Sequence, residues 1–116
     1  MDIRKFFKSF GYAIEGIVMT MREQNFRFHL LSAVIVMIAG LFTGLSIIEW
    51  IIIVLVITLV IGAEMFNTAI ERVVDLVSPD YHPLAKQAKD IAAASVLVFA
   101  ACSVIIGVLI FLPKWV

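Results

Sequence analysis

No charged residue occurs between Arg27 and Glu49. A helix needs roughly 20 consecutive apolar residues to cross the hydrocarbon of a bilayer, and the segment at 28–48 meets that requirement. Two further segments behave in the same way. One opens near Trp50, runs apolar to Ala63 and keeps helical patterning through Glu64, Asn67, Glu71 and Asp75. The other starts near Leu84 as an amphipathic turn or two and carries no charge from Ile91 to Leu112. Val77-Ser78-Pro79-Asp80-Tyr81-His82-Pro83 separates them, because two prolines cannot continue a helical ladder. Composition points the same way. The chain is 63% hydrophobic and 16% charged, with mean hydropathy +1.10, whereas soluble domains run at about 45–50% and 25%. The sequence predicts one all-α integral membrane domain over residues 1–116, with spans at 28–48, 50–76 and 84–112.

Ahead of the spans, Ile3, Phe6, Phe7, Phe10, Ile14, Ile17, Val18 and Met21 fall on one side of a helix at 100° per residue, and Lys5, Lys8, Tyr12, Glu15, Arg22 and Glu23 on the other. An aromatic-rich face opposite lysine and arginine describes an amphipathic surface helix over 1–25, lying in the membrane interface. Packing of that face against protein is a second, partly compatible reading. The segment does not look like a cleavable signal peptide. Gly40 and Gly44 are four apart, which suits either close helix packing or helix termination. The lone Cys102 lies in an apolar run and reads as a small hydrophobe. Net charge is zero, which gives no electrostatic footprint for a nucleic-acid partner. Lys and Arg gather in the N-terminal segment and the 72–90 connection and are absent from 45–49, which places the N-terminus and the 72–90 loop in the cytoplasm and the C-terminus outside. Trp50 and Trp115 then sit at the outer interface.

The informative feature is a polar stripe. Glu64, Asn67, Thr68, Glu71 and Asp75 fall within about 100° of one another on a helix. An ionisable group in a membrane segment is costly and marks a functional position by default; the structural alternative is a polar seam between subunits. For Asp75, near the helix end, a solvated or end-capping charge serves as well. Glu64 lies about 21 Å along the helix from Trp50, below the cytoplasmic surface of a hydrocarbon layer about 30 Å thick, at the level where a lipid hydroxyl would be found. Glu71 lies about 10.5 Å further on, too far to share one metal with Glu64 directly. A base at the lipid and a metal ligand near the nucleotide would fit this spacing. Glu23, at the end of the first helix's polar face, could join Glu71 on Mg²⁺, which takes few protein ligands and keeps several waters. Lys89 and Asp90 follow the proline loop, where a lysine could oppose phosphate charge or merely snorkel. There is no G-x-x-x-x-G-K-[ST] and no G-x-G-x-x-G. His29 and His82 have no partner at zinc-ligand spacing.

Glu64-Met65-Phe66-Asn67-Thr68-Ala69-Ile70-Glu71-Arg72-Val73-Val74-Asp75 resembles the E-x-x-N-[ST]-A-I-E-x-x-V-D signature of the prokaryotic diacylglycerol kinase family, and Ala88-Lys89-Asp90-Ile91-Ala92-Ala93-Ala94 resembles its second characteristic stretch. The similarity covers nearly the whole chain. Segments 4–10, 46–50 and 82–86 look like the Gram-positive branch, which contains undecaprenol kinases. The resemblance implies a homotrimer in the bacterial cytoplasmic membrane, with active sites shared between subunits. It implies ATP as donor, Mg²⁺ as cofactor and a membrane lipid alcohol as acceptor, undecaprenol ahead of diacylglycerol. It implies Glu64 as general base and Glu23 and Glu71 as metal-associated carboxylates. Asn67 and Asp75 would support the site, and Lys5, Tyr12, Glu23, Glu71, Asp80, Tyr81, His82, Lys89 and Asp90 would lie near the nucleotide. On one straight helix Lys5 and Glu23 would be about 27 Å apart, so both meet one nucleotide only if the helix bends or subunits share the site. A competing class is a small oligomeric ion- or proton-coupled transporter with the Glu64–Glu71 stripe lining its path; carboxylates near one face, with none at depth in the other two spans, argue against it.

Overall fold

A computed structural model describes all 116 residues and contains four helices and no strand: α1 (Ile3–Thr20), α2 (Gln24–Thr43), α3 (Ile47–Val77) and α4 (Pro83–Trp115). The last three are each long and apolar enough to cross a membrane. At 1.5 Å per residue α3 is about 46 Å long and α4 about 50 Å. Each exceeds a hydrocarbon core of about 30 Å, so each carries polar length beyond it.

Local chemistry sets the helix ends. Asp2 accepts hydrogen bonds from the backbone N–H groups of Arg4 and Lys5 and starts α1. The expected first helix runs to residue 25, but α1 stops at Thr20 and the chain turns through Met21, Arg22 and Glu23. Glu23 therefore belongs to the start of α2, as its N-cap residue, rather than to the polar face of α1. Gly44 ends α2 with φ +78, a left-handed conformation that glycine adopts without steric cost. Gly40 does the other job open to this pair: a Cβ there would meet the Trp50 ring at 2.7 Å. Ser46 and Glu49 form a reciprocal capping box, with Glu49 N–H to Ser46 Oγ at 3.2 Å and Ser46 N–H to Glu49 Oε1 at 2.9 Å. That motif starts α3 at Ile47, ahead of Trp50. His82 Nδ1 accepts from Leu84 N–H at 3.1 Å, and Pro83 occupies the first helical position of α4. Pro113 lies in the last turn, and the helix continues past it to Trp115.

α3 and α4 form a long packed pair, with α2 laid mainly against α3. Ile53, Ile110 and Phe111 make a small core near one end, surrounded by Val36, Ala39, Leu45, Ile57 and Ile106. The same end is tied by Trp115 Nε1 donating to Thr43 Oγ1 at 3.0 Å and by Lys114–Glu49 at 3.1 Å. Only 13 of 116 residues are buried, so the lipid-facing apolar surface is left outside, as suits a bilayer solvent. Every residue of α1 before Thr20 is exposed, and the helix touches the rest of the chain only sparsely, mainly at α3. Arg72 joins α1 to α3, reaching Met19 Sδ and lying 3.5 Å from Glu23.

Candidate active site

The α3 stripe is graded in burial. Glu64, Asn67 and Thr68 are 3%, 5% and 6% exposed, Glu71 is half-buried and Asp75 is exposed. Helical spacing places the five on one face, and the packing of α2 and α4 on α3 closes over its deeper half. The sequence left open a polar seam between subunits at this face. One chain is enough for Glu64, Asn67 and Thr68, because α2 and α4 both reach their level.

A cleft there is lined by Asn25, Phe28 and His29 of α2, Glu64 and Asn67 of α3, and Ala93, Val96, Leu97 and Ala100 of α4. Its walls on α4 are apolar and its floor is acidic. Thr68 donates to the Glu64 carbonyl at 3.0 Å, which satisfies its hydroxyl locally. Asn67 donates from Nδ2 to Glu71 Oε1 at 3.3 Å, while its buried Oδ1 has no partner. A buried acceptor without a donor normally costs about 1–3 kcal/mol, so an O–H or a metal-bound water would be well received beside Glu64. The carboxylates of Glu71 and Glu23 lie near enough for their charges to act on Glu64, as does His29.

The α3–α4 turn holds a second, polar cleft. Asp75, Asp80, Tyr81, His82, Lys86, Lys89 and Asp90 line it. Lys89 forms an ion pair with Asp75 across the two helices, and Lys86 pairs with Asp90 at 2.6 Å. Lys89 is one helical turn from Ala93, which lines the Glu64 cleft, so the two clefts succeed one another along α4 about 6 Å apart. The chain thus gathers the sequence-predicted residues into two neighbouring groups, Glu64–Asn67–Glu71 and Asp75–Asp80–Tyr81–His82–Lys89–Asp90. Glu23 lies beside Arg72, with Arg72 Nη2 3.5 Å from its Oε1. Lys5 and Tyr12 remain exposed on α1 and bond through their side chains to none of the others.

No three His, Cys, Asp or Glu side chains come together as a metal cage. Mg²⁺ does not ask for one, since it is usually held by one or two carboxylates together with substrate phosphates and water. Glu71, Glu23 and the unpartnered Asn67 Oδ1 are hard oxygen donors of the required kind. Sequence reasoning notes His29 and assigns it no part. The structure sets its Nε2 3.8 Å from Glu64 Oε2, a contact between two helices that no local motif announces. Arg72 is likewise missed, as is the Ser46-x-x-Glu49 capping box, whose spacing was legible.

The sequence profile of the prokaryotic diacylglycerol kinase family matches residues 11–111. The chain is 54% identical to the undecaprenol kinase of Bacillus subtilis (strain 168), over 97% of this chain and 93% of that protein. It is 43% identical to a diacylglycerol kinase of Synechocystis sp. over 90% of this chain and 61% of that protein, and 29% identical to the diacylglycerol kinase of Escherichia coli (strain K12) over 84% and 81%.

Proposed function

The chain belongs to the prokaryotic diacylglycerol kinase family, and from that premise we propose that it transfers the γ-phosphoryl group of ATP to the hydroxyl of a membrane polyprenol, undecaprenol before diacylglycerol. It is a lipid kinase; the transporter alternative falls away with the family. The observation that carries the mechanism is the burial of the Glu64 carboxylate in an apolar cleft beside a polar turn. In our reading the acceptor hydroxyl enters that cleft and Glu64 takes its proton. The freed oxygen attacks the γ-phosphorus, the bond to the ADP oxygen breaks, and ADP leaves. Phosphoryl transfer asks the protein mainly for positioning and charge stabilisation. Lys89 would release Asp75 to oppose phosphate charge. Asn67 would hold the Glu71 carboxylate and offer Oδ1 to the acceptor. Glu71 and Glu23 would hold Mg²⁺, which supplies neutralisation of the phosphate oxygens.

The remaining parts of this reading concern setting. α1 lies in the cytoplasmic interface on its aromatic face, supported by its aromatic and basic patterning and by its lack of cover within the chain. The 72–90 turn faces the cytoplasm, where ATP is. The enzyme works as a homotrimer. What supports this is the position of Lys5 and Tyr12: a nucleotide that meets them and the α3–α4 turn draws on more than one copy.

The test is product analysis. Purified protein in mixed micelles is given γ-labelled ATP with undecaprenol and diacylglycerol at equal mole fraction, and the organic extract is separated at early time. The ratio of products reports the ratio of kcat/KM values. Undecaprenyl phosphate should exceed phosphatidic acid. A ratio at or below one moves the acceptor to diacylglycerol and leaves the base and metal assignments standing; no label in either lipid would remove the acceptor class altogether.

A further inference from the structure

We propose that His29 is a positioning residue for Glu64: its Nε2–H donates to one carboxylate oxygen and leaves the other turned to the acceptor hydroxyl. The proposal rests on the reading of Glu64 as base. Glu64 is the one buried carboxylate in an ion pair; the carboxylates of the other four pairs are 23% exposed or more and face lysine or arginine. Its only basic neighbour within 4.0 Å is the imidazole of His29, 3.8 Å away on α2.

The residue type matters. A lysine or arginine here would form a permanent ion pair and hold the carboxylate in its charged form, weakening it as a proton acceptor. A neutral imidazole can orient one oxygen without neutralising the group. The ring is itself held. It stands edge-on to Phe28 with centroids 5.6 Å apart, and its side chain is 17% exposed. It also borders a partly open space of ≈ 100 Å³ between the spans, lined further by Ser32, Val36, Val60 and Ser103, which leaves room for the ring to turn. At 3.8 Å the contact is longer than a hydrogen bond. Such contacts in unliganded catalytic sites shorten when substrate closes the site, and a small rotation of either side chain suffices.

The experiment compares His29→Ala and His29→Gln, each alone and with Glu64→Gln, at saturating MgATP and lipid alcohol, with assembly checked by sizing in mild detergent. His29→Ala should lower kcat about ten- to hundred-fold, the scale of a misplaced reacting group, and leave KM for MgATP unchanged. His29→Gln should recover most of that loss, since its amide N–H can donate to the carboxylate. In the Glu64→Gln background His29→Ala should add no further loss, because both act at one group. Full kcat in His29→Ala beside an inactive Glu64→Gln would overturn the proposal, as would a rise in KM for MgATP in place of a fall in kcat. A glutamine variant no better than alanine would also overturn it and make His29 a proton acceptor instead. Should His29→Ala fail to assemble, His29→Gln and His29→Asn carry the comparison, the longer amide being active and the shorter one slow. An active Glu64→Gln would remove the base itself, an outcome separate from all of these.

Discussion

Replacing Glu64 by glutamine separates catalysis from folding more cleanly than any other single change in this chain. The amide has the same shape and can still accept a hydrogen bond through its oxygen, but it cannot take the proton of the acceptor hydroxyl. General-base catalysis contributes about 10²–10⁴-fold, which corresponds to about 2.7–5.4 kcal/mol of barrier. Stability should move the other way or not at all. The carboxylate is 3% exposed, and its nearest base is a histidine at 3.8 Å, beyond hydrogen-bond reach. A buried charge held this weakly is a cost to the folded state, and the neutral amide removes it. The expected result is a protein with an unchanged or raised midpoint of thermal unfolding in detergent and a kcat at least a hundred-fold lower at saturating MgATP. Near-normal turnover would refute the base assignment. Loss of turnover together with a clear loss of stability would refute the argument that Glu64 is held at a cost.

The other expectations are narrower. Glu71→Gln and Glu23→Gln should each weaken activity in a way that added Mg²⁺ partly restores, and the double variant should lose less than the sum of the two; a Mg²⁺ titration of the four proteins decides it, and independent, Mg²⁺-insensitive losses would separate the two carboxylates. Mass determination in mild detergent should find a trimer, and an active monomer would end the shared-site reading. Gly44→Ala should destabilise by about 1–2 kcal/mol, because Gly44 sits at φ +78 with no atom near the added Cβ, so that only the backbone penalty of a left-handed L-residue is felt; kcat should be retained.

What could be read in advance follows from what each residue needs in order to be legible. The spans were visible because lipid demands a long uncharged run, and that demand is written in consecutive residues. The stripe from Glu64 to Asp75 was visible for the same reason in reverse: charges interrupt such a run at helical spacing. The ends of the helices were legible only in part. Ser46-x-x-Glu49 and Gly44 are local signals, and they fix where α2 stops and α3 starts. The stop at Thr20 has no such signal. Met21, Arg22 and Glu23 continue the helical periodicity in sequence, and the chain turns there because α2 must leave the plane of α1 to run beside α3, with Arg72 holding the corner through Met19 and Glu23.

The contacts that were not legible are those made between helices. Periodicity says which face of α3 is polar; it does not say how deeply α2 and α4 cover that face, and so a seam between subunits stayed open as its structural reading. Burial does not follow polarity as it does in a soluble protein, since eight apolar residues share the interior with four polar ones. Thr20, Glu64, Asn67 and Thr68 are inside, while Phe28, Leu41, Phe66 and Leu97 are out. In lipid an apolar side chain gains little by turning inward, whereas a polar one must find partners or be enclosed. Part of the interior of such a chain therefore goes to polar groups, and on α3 these gather at one level, that of Glu64, Asn67 and Thr68. In our reading the acceptor hydroxyl sits at the level of Glu64, with Asn67 Oδ1 unpartnered and His29 facing the carboxylate, and a lipid bound there would reach it between α2 and α4, which line the cleft on either side of α3.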